Sequence, residues 1–151
     1  MRKLLFILIL FLSTEQIHAQ ELIDFGKSFY VVKNMADSKF GDTCDGKGKV
    51  LIYCVSDGSK IILMFRDNKF SDLQMMEPYS SKRIAELELE KQIKGFSKEQ
   101  NMTPYYSNGL ISFTTDEKDI GVTFSVVDFN RTSYVSVIYQ YKPLLDFPIS
   151  Q

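Results

Sequence analysis

The sequence predicts an α+β fold, an antiparallel sheet from two helix-plus-three-strand units with both helices packed on one face. Three observations carry this. Two segments place apolar residues at helical spacing. Each is followed by three short runs rich in β-branched and aromatic residues. The turns between those runs are too short for parallel crossovers, so neighbouring strands pair antiparallel.

The first helix is predicted over residues 24–41, where Phe25, Phe29, Val32 and Ala36 fall on one face with Met35 beside them. Asp24 is its predicted cap and Gly41 its stop. The period then changes. VLIYCV (50–55) and KIILMFR (60–66) read as strands joined through Asp57-Gly58, a hairpin signal. A turn at Asp67-Asn68-Lys69 leads to a weaker third strand, FSDLQMM (70–76), which Pro78 is expected to end.

Ser80 or Ser81 can cap the second helix, SSKRIAELELEKQIK, and Gly95 can close it. Ala85, Leu89, Ile93 and Phe96 share its inner face, while Leu87 falls opposite. After the polar stretch SKEQNMTPYYSNG come LISFTT (110–115), IGVTFSVVDF (120–129) and TSYVSVIYQY (132–141). The turns between them are DEKD and a tight bend at Asn130-Arg131. One domain over residues 20–142 follows, with residues 143–151 as a tail containing Pro143 and Pro148.

The start of the chain has the layout of a secretory signal peptide. Arg2 and Lys3 precede nine unbroken apolar residues, LLFILILFL, and a polar segment that ends at Ala19, the expected cleavage point. At about 1.5 Å per residue, that run falls far short of the roughly 30 Å apolar core of a bilayer. Residues 1–19 are therefore expected to be removed, which places the mature chain in the periplasm or outside the cell. The end of the signal, HAQ, resembles those of Bacteroidota-type bacteria. No later run is long enough to span a membrane.

Composition excludes several chemistries. The only histidine, His18, lies in the signal segment. Ser-His-Asp and Cys-His catalysis are thus closed to one mature chain, as is a His-ligated zinc. No cofactor or metal is expected. Removing Arg2, Lys3 and Glu15 from 18 basic and 19 acidic residues leaves 16 and 18, a net charge of −2 with interspersed signs. Nucleic acid is not an expected partner.

The stretch GDTCDGKGKVLIYC (41–54) invites three readings. As a phosphate loop, Gly41, Gly46 and Lys47 have the spacing, but Gly48 stands where a Ser or Thr must follow, and the loop runs from helix to strand. As a calcium loop, Asp42 and Asp45 are three apart and no Glu closes the set. As a disulfide, Cys44 and Cys54 are the only two cysteines of an exported chain. Closing about 11 residues contributes roughly 2–3 kcal/mol in the chain-entropy model. The disulfide is the expected reading, and the spacing does not support a CxxC-type redox site.

Carboxylates are the remaining catalytic groups. Asp116, Glu117 and Asp119 read as solvated turn formers. Glu86, Glu88 and Glu90 read as a wet helix face beside Lys91 and Lys94. Asn101-Met102-Thr103 and Asn130-Arg131-Thr132 are formal glycosylation sequons, relevant only to a eukaryotic source.

The strands of the second half alternate. Ile120, Val122, Phe124 and Val126 point one way, and Gly121, Thr123 and Ser125 the other. The first hairpin is apolar on both faces, so either a loop or the tail (Leu144, Leu145, Phe147) covers its second face or that face meets a partner. The expected interaction surface is Leu51, Tyr53, Val55, Ile62 and Met64, with Tyr139 and Tyr141.

The helix opening FGKSFYVVKNM and the order of elements resemble the β-lactamase-inhibitor-protein family and the small lipoprotein subunit of outer-membrane barrel assembly. The lipid-anchored Cys of the latter is absent here. The resemblance covers one helix and the element order, implies α+β units that bind through sheet or loops, and carries no site residue. The expectation is an exported, non-enzymatic binding or envelope-associated protein whose partner is a protein, an envelope component or a second copy. The rivals are a secreted carboxylate hydrolase and a structural homodimer.

Overall fold

The computed structural model describes residues 25–115 and 119–150. The signal segment, the predicted cap Asp24, and Asp116 and Glu117 lie outside these residues.

Helix α1 (Phe29–Phe40) is followed by β1 (Asp45–Lys47), β2 (Val50–Cys54), β3 (Lys60–Arg66) and β4 (Lys69–Tyr79). Helix α2 (Lys82–Gln100) is followed by β5 (Tyr105–Ser107), β6 (Leu110–Thr115), β7 (Ile120–Phe129) and β8 (Thr132–Tyr141). A single eight-stranded antiparallel sheet has the order β1-β2-β3-β4-β8-β7-β6-β5. Each half is a helix and four strands rather than three. The two extra strands are three-residue edges with all side chains exposed, too short to show a period of two. The halves meet where β4 pairs with β8.

One register row explains the layering. Leu51, Leu63, Leu73, Tyr139, Val122 and Phe113 lie side by side from β2 to β6. Leu51, Leu63 and Leu73 pack with Phe29, Val32 and Ala36 of α1. Tyr139, Val122 and Phe113 pack with Ala85, Leu89 and Ile93 of α2. Both helices therefore cover the same face, each through the stripe that its sequence period predicts. Phe25 joins the two clusters, with its ring 4.9 Å from Phe70 and 5.8 Å from Tyr141.

Several boundaries move. The cap of α1 is Ser28, and Gly41 ends the helix at φ 81°. Helix α2 is capped by Ser81, whose Oγ accepts from the Ile84 amide. It runs through the exposed Gly95 to a left-handed Asn101. A glycine weakens a helix by about 1 kcal/mol but does not stop one whose buried stripe continues, and Phe96 extends that stripe.

Strand β4 continues through Pro78, which sits opposite Tyr134 of β8. Strand β3 begins at Lys60 opposite Met76, so at Pro78 the side away from β8 has no ladder to lose. Asp67-Asn68 and Asn130-Arg131 have positive φ at both residues, the geometry of two-residue hairpins whose twist suits the flanking strands.

A β-bulge shapes the centre. Met64 pairs with Asp72 but Phe65 with Phe70, which leaves Ser71 as the extra residue. That one-residue shift turns Phe70 to the α1 side together with Phe65. Asp72, paired with Met64 ahead of the shift, keeps the regular alternation and faces the opposite side with Gln74.

The tail is tied down. Leu144 is buried, the Ser150 amide donates to the Phe65 carbonyl at 2.7 Å, and Ile149 bridges to Arg66.

Candidate interaction face

The face opposite the helices is built from the alternate residues of the same strands. Its central row is Ile52, Ile62, Gln74, Ile138, Thr123 and Ser112. All six are half-buried. Polar side chains on this face satisfy one another. Gln74 Nε2 donates to Ser136 Oγ at 2.9 Å, and the Ser112 and Thr123 hydroxyls lie 3.3 Å apart. At one rim, Lys60 reaches across β4 to place its ammonium 4.8 Å from the Phe129 ring centroid and 5.8 Å from that of Tyr134.

At the other rim lies a buried ion pair. Asp72 is 1 % exposed, and Arg66 Nε donates to its Oδ2 at 3.0 Å. Ser71 Oγ donates to the same oxygen at 2.6 Å and Gln140 Nε2 to Oδ1 at 2.9 Å. Arg66 Nη1 also donates to the Phe147 carbonyl at 2.8 Å, so one guanidinium holds both the carboxylate and the tail. A buried carboxylate is tolerable only with such a set of donors.

The interaction surface expected from sequence divides between the two faces. Leu51 and Tyr53 are buried under α1, and Tyr139 is buried under α2. These three are core, which corrects the expectation that they form a surface. Val55 packs against the α1 cluster, and Tyr141 stacks near Phe25 on the helix-covered side. Only Ile62 and Met64 stand on the open face, both half-buried. Their open-face neighbours Val50, Ile52, Gln74 and Ile138 were not among the predicted residues. Period-two counting from Ile62 finds Val50 and Ile52 once the hairpin register is known. Gln74 and Ile138 depend on the β4–β8 pairing, which no short turn signals.

Cys44 and Cys54 are joined, with Cα atoms 5.7 Å apart, and both residues are exposed. The link connects the approach to β1 with the end of β2. Gly46 of β1 has φ 152°, and a Cβ there would sit 2.4 Å from the Val50 carbonyl oxygen, so this glycine permits the hairpin to close.

Among the described residues, the acids named from sequence form no common site. Asp119 is an exposed turn residue at φ 50°. Glu86 and Glu90 are exposed on α2, and Glu88 bonds to Lys91. A different carboxyl is perturbed. Glu77 of β4 is 9 % exposed on the helix-covered face, and burial pushes its pKa up, aided by the nearby charges of Asp57 and Glu88. Gln92 of α2 lies 3.4 Å from its Oε2, and the Tyr79 hydroxyl also bonds to it. Its place at the end of β4 hid it from turn and helix signals. Among the described residues, no group of three or more His, Cys, Asp or Glu is placed to hold a metal ion. No helix among them is long and apolar enough to cross a membrane.

No family model, curated protein or solved structure matches the chain.

Proposed function

We propose that this chain is an exported binding protein without catalytic chemistry, acting through the open face of its sheet. One observation carries the reading: both helices are spent on one face, while the opposite row through Ile52, Ile62, Gln74 and Ile138 remains half-exposed. A sheet that needs only one covered face is an ordinary two-layer solution. The mixture of aliphatic side chains and neutral hydrogen-bonding groups on the other face suits a protein or envelope partner. The resemblance to small envelope inhibitors and assembly subunits points the same way. The rival hydrolase has less support: Asp119, Glu86 and Glu90 are exposed, and Glu77, which has Asp57 and Glu88 nearby, lies covered on the α2 side.

The test is capture from envelope extract with tagged mature protein. Ile62→Asp and Ile138→Asp variants, checked to be folded, serve as face variants, and Leu87→Asp on the exposed side of α2 serves as the control. A component retained by wild type and the control but lost from both face variants is the expected result. Equal capture by all four, or no capture with a concentration-dependent dimer in sedimentation, overturns the reading.

A further inference from the structure

The edge at β1 is held differently from the rest of the sheet. Its three residues bury no side chain, and among the described residues its only sheet neighbour is β2. Its backbone pairs with β2 at three positions, from Asp45 opposite Ile52 to Lys47 opposite Val50. Three ladder pairs without a buried side chain hold an edge weakly, and β5, the matching edge, carries no covalent link. The covalent link between Cys44 and Cys54 supplies what packing does not. Strand β2 has the opposite character. Leu51 and Tyr53 anchor it under α1, and it pairs along its whole length with β3.

We propose that the Cys44–Cys54 bond is a redox-cleavable clasp that holds β1 as a cap over the outer edge of β2. Both cysteines are exposed, so an external dithiol can reach them. The thiolate of that dithiol attacks one sulfur of the pair, breaking the internal S–S bond and forming a mixed disulfide. The second thiol of the reductant then displaces the protein sulfur. Two electrons and two protons pass to the protein, which holds two thiols, and the reductant leaves as a disulfide. The segment between Gly41 and Gly48 is then free to swing away. The turn stays in place, because Lys49 bonds to Asn68 and lies 5.2 Å from the Phe29 ring centroid.

The uncovered strand is VLIYC, five residues without a charge. Natural sheets guard such an edge with charged or very short strands, which is what β1 is, with Asp45 and Lys47 on it. Reduction therefore exchanges a guarded edge for an open one.

Hydrogen exchange measured by mass spectrometry on oxidised and dithiol-treated protein tests this. Exchange over residues 50–54 is expected to accelerate about tenfold or more on reduction, while α1 and β7–β8 keep their protection. A Cys44→Ser/Cys54→Ser variant is expected to match the reduced protein and to ignore the dithiol. Unchanged protection over 50–54 overturns the proposal, because the hairpin then holds without its clasp. Loss of protection everywhere at once also overturns it, because the bond would then staple the whole fold.

Discussion

The Tyr53 hydroxyl donates a 2.7 Å hydrogen bond to Asp37 Oδ1, tying the far end of β2 to the last turn of α1. Lys33 bonds to the other carboxylate oxygen from one helical turn away. Asp37 is thus the polar latch at the end of an apolar contact that begins at Phe29, and its two donors give a first prediction.

Tyr53→Phe keeps the ring in the core and deletes one charge-assisted hydrogen bond, so it should cost about 1–2 kcal/mol at neutral pH. The bonds from Lys33 and then Tyr53 hold the Asp37 pKa below its ordinary 3.8. A depressed carboxylate contributes stability above the unfolded value, and that contribution is lost as pH falls through the folded one. The gap between wild type and Tyr53→Phe should therefore narrow below pH 3.8. Urea titrations at several pH values measure it, and a gap independent of pH would count against the latch.

Glu77 has the opposite sign. Burial first, then Asp57 and Glu88, raise its pKa above the ordinary 4.5. The folded protein then holds the proton more tightly than the unfolded chain. Stability falls as pH rises from the unfolded value through the folded one, and the penalty persists above it. Glu77→Gln keeps an oxygen for the Tyr79 hydroxyl and removes that penalty. Its melting temperature should exceed that of wild type at neutral pH and converge with it below pH 4.5. A constant difference across that range would show that the substitution acts through packing alone.

Arg66→Ala should be the most damaging polar substitution on the open face. It leaves the Asp72 carboxylate with Ser71 and Gln140 but without its counter-charge. Removing one partner of a buried pair costs about 3–5 kcal/mol, and the two remaining donors favour the lower end. The tail also loses the bond to the Phe147 carbonyl. Limited proteolysis should then cleave residues 145–150 sooner than in wild type, and unchanged tail protection would mean that the Ile149 bridge suffices.

The two faces predict opposite responses to one kind of change. Leu51→Asp places a charge among Phe29, Val32 and Tyr53 and should prevent folding. Ile62→Asp, one position along β3 from Leu63, the register partner of Leu51, and on the half-exposed side, should cost about 1–2 kcal/mol and leave a folded chain. Circular dichroism of the two variants distinguishes the faces directly, and equal unfolding would refute the assignment.

Local chemistry was legible in the sequence. The stripes Phe29-Val32-Ala36 and Ala85-Leu89-Ile93, the stop at Gly41, the turn at Asn130-Arg131 and the pairing of Cys44 with Cys54 are each set by residues a few positions apart. Periodicity, positive φ and a pair of cysteines act over that range. From these alone, two helices and an antiparallel meander follow.

Which face each strand shows, and to what, was decided only by the tertiary structure. The first hairpin is apolar on both sides, so its alternation cannot say which side the helix takes. Contact with α1 selects Leu51 and Tyr53 and leaves Ile62 and Met64 outside. The bulge at Ser71 reverses the alternation of β4 within one residue. The β4–β8 pairing joins strands some sixty residues apart, and it alone brings Gln74 beside Ser136 and Asp72 beside Gln140. Such pairings are chosen by the burial of the whole row beneath both helices, a sum over distant residues that no local window contains.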